Sequence, residues 1–264
     1  MKNLKYVVEQ FLNDRLVIVD FPHITPLIDP LFNGFKTLLK TPVGALILWQ
    51  IHHSELSKRA DHGLIFPKGG EYDEKWMFMY RTGLLADYFR LQRLTEIDYL
   101  EYKLWFNVLH QTHRMLQNVV FEFTEELDAQ LPGYNLLEQV NSPLVEDTHP
   151  LRLLQYLHGP ASARGVPLAK GHLDLGFITV QAYASHEGLD FIPNYDEHLA
   201  PDFWKRIPYT PKSGTLALFP GKKFAKATGG RIPAMYHEVG TQCGCNREAL
   251  IFFSHTAEPN EESR

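Results

Sequence analysis

Two side chains able to bind a metal stand two residues apart in His172-Leu173-Asp174. The surrounding run, 171–180, carries the β-branched residues Ile178, Thr179 and Val180 and fits no helical period, so it reads as one β-strand. Alternation along a strand points His172 and Asp174 to the same face, where an imidazole and a carboxylate converge. That pair alone suits many divalent metals. A histidine from another strand would complete the two-histidine, one-carboxylate face of a ferrous site that keeps positions open for reactants. His237, in the short strand-like run 235–239, is the candidate third ligand.

A different chemistry is available at Arg247, the first residue of an apolar run that continues to Phe253. Strand parity places Arg247, Ala249, Ile251 and Phe253 on one face. A guanidinium among such neighbours requires an anion, and its planar fork matches a carboxylate. The other polar candidates have simpler readings. Arg152 shares the face of Tyr156 and could meet an acidic substrate, but a surface ion pair is the plainer expectation. His110 and His113, three apart on a predicted helix, have metal-compatible spacing but no acidic partner on the same turn, so they read as a solvated or hydrogen-bonded pair. Lys222, Lys223 and Lys226 read as a solvated loop, and His158, His186 and His198 have no evident partner. The only cysteines, Cys243 and Cys245, flank a glycine in a turn between strands, with no further thiol to complete a metal site.

These groups sit in a chain of 264 residues with a formal net charge of −5, rich in aromatic side chains (17 Phe, 12 Tyr and 4 Trp). Acids and bases are interspersed, which argues against a nucleic-acid surface. No apolar run is long enough to span a bilayer, and the first residues lack the core of a signal peptide. With so few cysteines, a reducing cytoplasm is the expected compartment.

The elements that must position the site fall into two parts. Residues 1–14 have the spacing of an amphipathic helix, 16–21 of a strand, 25–40 of a helix, 46–51 of a strand, and 75–81 of an extended segment after a turn at 64–70. A long helix is predicted from about 96 to 127, with Thr95 as N-cap, Asp98 in its first turn, and an apolar stripe through Leu104, Val108, Thr112, Met115 and Val119. After Pro132-Gly133 the pattern becomes short strands between Gly, Pro and Asn turns, at 151–157, 172–183, 189–192, 215–219, 235–239 and 248–254, which suggests a sandwich or barrel. The expectation is one interdependent unit over 1–264, mainly helical over 1–140, with a β-rich core over 145–255 and a frayed tail.

Five stretches of this core resemble, in order, the isopenicillin N synthase-like family of Fe(II)- and 2-oxoglutarate-dependent dioxygenases. They are 151–156, 172–181, 211–221, 228–239 and 246–253, with a faint echo at 73–78. The resemblance implies a mixed α and β fold, with a double-stranded β-helix (jelly roll) core flanked by N-terminal helices. It implies that His172, Asp174 and His237 hold Fe(II), that Arg247 pairs with the distal carboxylate of 2-oxoglutarate, and that Tyr156 binds near it. Gly176, on the face of His172 and Asp174, would leave room beside the metal.

The implied activity is oxidation of a C–H bond of a small molecule by dioxygen (hydroxylation, desaturation or cyclisation), with 2-oxoglutarate as co-substrate and ascorbate as a possible reductant. Two positions depart from the family pattern: Ala249 stands where a serine is usual, and Leu154 where many relatives have asparagine. They keep open an iron oxidase that draws its electrons from the substrate alone, with Arg247 on a substrate carboxylate. A non-enzymatic barrel binding a carboxylate or a partner is the remaining alternative. The substrate and the oligomeric state are not specified by the sequence.

Overall fold

The computed structural model describes residues 3–40, 63–65, 75–82, 100–141, 149–158, 167–196, 198, 203–240 and 245–256. The predicted strand at 46–51, the N-cap Thr95 with Asp98, Cys243 and the tail lie outside them. In chain order the elements are α1 (Leu4–Asp14), β1 (Val17–Asp20), α2 (Thr25–Lys40), β2 (Gly63–Ile65), β3 (Lys75–Tyr80), α3 (Leu100–Gln130), α4 (Leu136–Val140), β4 (Leu151–Tyr156), β5 (Ala169–Leu173) and β6 (Ile178–Ala184). They continue with β7 (Leu189–Ile192), β8 (Ile207–Pro208), β9 (Thr215–Pro220), α5 (Lys222–Ala227), β10 (Tyr236–Val239) and β11 (Arg247–Phe253).

The strands form two antiparallel sheets. The larger has the order β1-β9-β6-β11-β4-β3-β2 and the smaller β5-β10-β7-β8. From β4 to β11 the chain crosses repeatedly between the sheets, giving a double-stranded β-helix. The N-terminal part is less purely helical than its composition suggests, because β1 pairs with β9 and β3 with β4, so its strands extend the larger sheet on both sides.

Alternation along the strands of the larger sheet separates two cores. Leu216, Leu218, Leu250, Phe252, Leu151 and Leu153 point outward and pack beneath the helices with Phe11, Phe35, Phe106 and Phe123. Ala217, Phe219, Ala249, Leu154 and Tyr156 point inward and meet Leu189, Phe191 and Val239 of the smaller sheet. The long helix is present, and its buried face overlaps the expected stripe only in part. Trp105, Leu109, Leu116, Val120, Phe123 and Leu127 are buried, whereas Leu104 is 58% exposed. Of the expected stripe, Thr112 and Val119 are buried and Val108 and Met115 pack on the core in part, so the buried face is wider than expected and centred on the larger aromatic residues beside it.

The run 171–180 is not one strand. β5 ends at Leu173, residues 175–177 bend, and β6 starts at Ile178 in the other sheet. The β-branched residues that suggested continuity belong to β6. Lys222, Lys223 and Lys226 lie on the short helix α5 rather than a loop; the buried Phe224 fixes that turn of helix against Phe11 and Phe177.

Candidate metal and carboxylate site

His172 and His237 are direct partners in the β5–β10 ladder, and their ring centroids are 4.4 Å apart. His172 Nδ1 lies 2.7 Å from the Lys170 carbonyl and His237 Nδ1 lies 3.1 Å from that of Met235. A carbonyl only accepts, so each Nδ1 carries a proton and donates it, and in the neutral imidazole each Nε2 presents a lone pair; His172 carries a second proton, on Nε2, only in its charged form bonded to Asp174. Both Nε2 atoms face the Asp174 carboxylate, at 3.5 Å for His172 and 3.7 Å for His237. One ligand atom from each of the three residues fits within a 4.8 Å span. Orientation of each imidazole through its far nitrogen is the usual outer support of a metal ligand.

Asp174 reaches this position by way of the bend, not by strand alternation. The amides at the start of α5 clamp the bend from one side: Lys222 N donates to Asp174 O (2.8 Å), Lys223 N to Gly176 O (3.1 Å) and Gly221 N to Phe177 O (2.9 Å). First-turn amides have no partner within their own helix, so the bend supplies their acceptors. From the other side, Phe177 N donates to Ser254 O, and Ile178 N to Ser254 Oγ. A Cβ on Gly221 would lie 2.2 Å from Gly176 O, and one on Gly176 would lie 2.8 Å from Ser254 O. Gly176 therefore allows the bend to pack on the end of β11. The expectation that it clears space beside the metal is corrected on that contact.

The carboxylate itself is fixed by Thr179, whose Oγ1 donates to Asp174 Oδ2 at 2.7 Å. Burial would raise the Asp174 pKa, but His237, together with the hydrogen bonds from His172 and Thr179, outweighs it and holds the group at about 2. Burial pushes the His237 imidazole below its ordinary value against the pull of Asp174. At His172 the effect of burial is overcome by its bond to Asp174, and the value rises, with Lys75 opposing the rise. His237 is walled by Phe219 and Phe191, while the side chain of His172 is 49% exposed. The three side chains thus have an enclosed side and an open side.

The same cavity, of about 270 Å³, is lined by Arg247 and Tyr156. Arg247 is 2% exposed, and its Nε donates to the His186 carbonyl at 3.2 Å. Its Nη2 is buried without a hydrogen-bond partner among the described residues. Burial lowers the pKa of this guanidinium, with Tyr156 and Tyr209 opposing. A buried cation that lines a cavity and has one arm unsatisfied is chemically suited to an anion. Tyr156 sits opposite Arg247 in the β4–β11 ladder, its ring 5.7 Å from the guanidinium carbon. Ala249 is buried between Leu154 and Ala184 in the ladder and supplies no hydroxyl.

Sequence reasoning did not find Thr179, Lys75 or Tyr209 as site residues. Thr179 acts across a bend that strand parity does not describe, and Lys75 comes from an N-terminal strand. Tyr209 is set beside Arg247 by the loop after β8. The lesser candidates resolve as hydrogen-bonded groups: His110 Nδ1 meets Tyr80 Oη at 2.8 Å, His113 Nε2 donates to the His149 carbonyl at 2.7 Å, and His186 Nδ1 meets Ser185 Oγ at 2.8 Å. Arg152 is not a plain surface group, because it lines the cavity and its guanidinium lies over the Phe253 ring at 4.5 Å.

No family profile and no curated protein matches the sequence. Solved structures do match the fold. A full-length Neurospora crassa protein crystallised with α-ketoglutarate and thymine superposes with a TM-score of 0.70 at 15% identity, over 100% of this chain and 86% of its own. The dioxygenase for auxin oxidation from Arabidopsis thaliana, in its 2-oxoglutarate complex, gives 0.70 at 14% identity, over 97% of this chain and 90% of its own. Its counterpart in rice gives 0.67 at 16% identity, over 98% and 81%. This chain has the fold of the 2-oxoglutarate oxygenases. The jelly-roll core expected from the sequence is thereby borne out at the level of architecture.

Proposed function

We propose that the protein is an Fe(II)- and 2-oxoglutarate-dependent oxygenase that oxidises a C–H bond of a small molecule, and that it works in the cytoplasm. The observation that carries this reading is one cavity holding both a His172–Asp174–His237 cluster with two aligned Nε2 lone pairs and a buried arginine with an unsatisfied Nη2. The donor set, two imidazoles and a carboxylate on one side, fits a ferrous ion that keeps positions for reactants. When bound, iron and the co-substrate supply an oxidant from dioxygen as 2-oxoglutarate is converted to succinate and carbon dioxide, the second oxygen atom going to the substrate in a hydroxylation.

The chain's own residues have positioning tasks. Arg247 takes the distal carboxylate of the co-substrate beside Tyr156, which orients the keto acid toward the histidines. Thr179 stops the Asp174 carboxylate from rotating, and the carbonyls of Lys170 and Met235 hold the imidazole planes. Phe191 and Phe219 keep water from the inner side of His237. An anaerobic titration with Fe(II) and then 2-oxoglutarate should develop a visible metal-to-ligand charge-transfer band. His172→Ala should abolish metal binding, and Arg247→Met should keep the metal and weaken the co-substrate by at least roughly 30-fold, the loss for an interaction of ~2 kcal/mol. Absence of the band in the wild-type protein would overturn the assignment.

The apolar setting of Ala249 favours keeping a second reading, an iron oxidase without a keto acid, in which Arg247 holds a carboxylate of the substrate. Succinate release coupled to oxygen uptake separates the two.

A further inference from the structure

Resting on the oxygenase reading, we propose that Gln181 is a specificity-determining residue, whose side-chain carbonyl accepts a hydrogen bond from a neutral N–H or O–H group of the substrate. The substrate class is then a compact molecule carrying an amide N–H or a hydroxyl. Gln181 lies on β6 two residues beyond Thr179, and it lines the cavity although it is only 2% exposed. Its surroundings explain both why the amide is there and why one end of it is left over.

The β6–β11 ladder shifts register at this point. Ile251 pairs with Gln181 but Leu250 pairs with Tyr183, which leaves Ala182 unmatched as a bulge. A bulge interrupts the ladder locally and re-aims side chains beside it. The Gln181 amide covers the interruption: Nε2 donates to Tyr183 O and, at 3.4 Å, to Leu250 O. Carbonyls only accept, so the nitrogen must take that side, and the orientation of the amide follows from its partners. Oε1 is thereby turned away from the bulge. It has no hydrogen-bond donor among the described residues, yet it is not one of the atoms sealed off without a partner, so it opens on the cavity. The ladder neighbours of Gln181, Ile251 on β11 and Ala217 on β9, are apolar and have no side-chain donor to offer it. A well-oriented acceptor in an apolar floor calls for a donor from whatever fills the space above it. Thr179, which holds Asp174 at 2.7 Å, is only two residues back along the strand, or about 7 Å at ~3.3 Å per residue. A ligand whose donor rests on Gln181 therefore has its neighbouring carbons within reach of the three side chains proposed to hold iron. A site built on such an acceptor rejects analogues that lack the donor, because the oxygen is then buried unpaired.

The test uses anaerobic full-length protein loaded with Fe(II) and 2-oxoglutarate, titrated with pairs of small neutral probes of matched shape: lactams against the corresponding lactones, and alcohols and phenols against the corresponding fluorides. Binding is read by calorimetry and as a shift of the charge-transfer band. At least one donor should bind and shift the band, with its donorless partner weaker by roughly tenfold or more. Gln181→Leu, which keeps the approximate volume and removes the acceptor, should bring the two members of that pair to within about twofold of each other. A merely structural role at the bulge would weaken both members alike and leave their ratio unchanged. Should Gln181→Leu not fold, Gln181→Met serves in its place, and the ratio in the wild-type protein is a test in its own right. No binding by any donor, equal affinity within every pair, a ratio that survives in the variant, or a donor that displaces 2-oxoglutarate instead of binding beside it would each overturn the proposal. Failure of the wild-type protein to form the band at all would instead remove the oxygenase reading on which it rests.

Discussion

Replacing Gly221 by alanine should damage the metal site without touching a ligand. Gly221 has φ −97° and ψ −177°, an extended conformation open to any residue, so the effect is purely one of space. The new Cβ would lie 2.2 Å from Gly176 O, 2.8 Å from Gly176 C and 3.0 Å from Asp174 O. Restoring ordinary contact, which starts at 3.4 Å, requires the bend and the start of α5 to separate by about 1.2 Å. That separation breaks the bonds from Lys222 N and Lys223 N to the bend, at roughly 1 kcal/mol net each. The expected loss of stability is then about 2–3 kcal/mol, or roughly 4–10 °C in Tm for a domain of this size. Metal ligands must hold their distances to within roughly 0.2 Å, so a displaced Asp174 should lower affinity about 10- to 100-fold. Anaerobic Co(II) titration followed by absorption reads the affinity, and thermal unfolding of the metal-free protein reads the stability. Gly240→Ala is the control, because its Cβ would meet nothing closer than 3.8 Å among the described residues. If Gly221→Ala binds Co(II) and melts as the wild type does, the clamp on Asp174 is not what positions it.

Thr179→Val, which keeps shape and removes the hydroxyl bonded to Asp174 Oδ2, should reduce Co(II) affinity about 10-fold with little change in the affinity for 2-oxoglutarate once the metal is saturating. Acid sensitivity of the metal-free protein should include a contribution from outside the site, at His149 and His255, which burial keeps at about 3, well below the ordinary imidazole value. Both are neutral when folded, whereas the unfolded chain takes up protons below about pH 6.5, so stability should fall as pH drops from about 6.5 toward 3, by up to ~1.4 kcal/mol per pH unit for each group. Denaturant unfolding in the presence of a chelator measures the slope, and His149→Asn should make it shallower; an unchanged slope would place the acid sensitivity elsewhere.

The residues proposed as metal ligands were legible because their strand contexts are distinctive, as was Arg247 at the head of an apolar strand. Parity also placed Arg247, Ala249, Ile251 and Phe253 on the inner face correctly, since β11 pairs with β4 without a register shift and its irregularity lies only on the β6 side. Parity gave the right neighbours for His172 and Asp174 for the wrong reason. An extended pattern of β-branched residues does not announce a change of sheet, and the bend that makes them converge depends on Gly176, Gly221 and Ser254, which are far apart in sequence and adjacent only after folding. The position of α5 was hidden for a similar reason. A six-residue helix with one buried side chain, Phe224, has too few turns to establish a period. Arg152 illustrates the limit for charged residues, because the sequence shows its strand face but not that a cavity lies above it.

The placement of β3 has an evolutionary consequence. The groups proposed to bind iron and co-substrate all come from the span 156–247, whereas the wall that carries Lys75 and Met77 is donated by a strand from the N-terminal part, aligned to β4 residue against residue. Part of what the cavity selects is thus written apart from the residues proposed for its reactivity. Drift or recombination in the first hundred residues can retune what the cavity accepts while leaving the redox apparatus intact, which is how one scaffold can be passed among unrelated metabolites without being rebuilt.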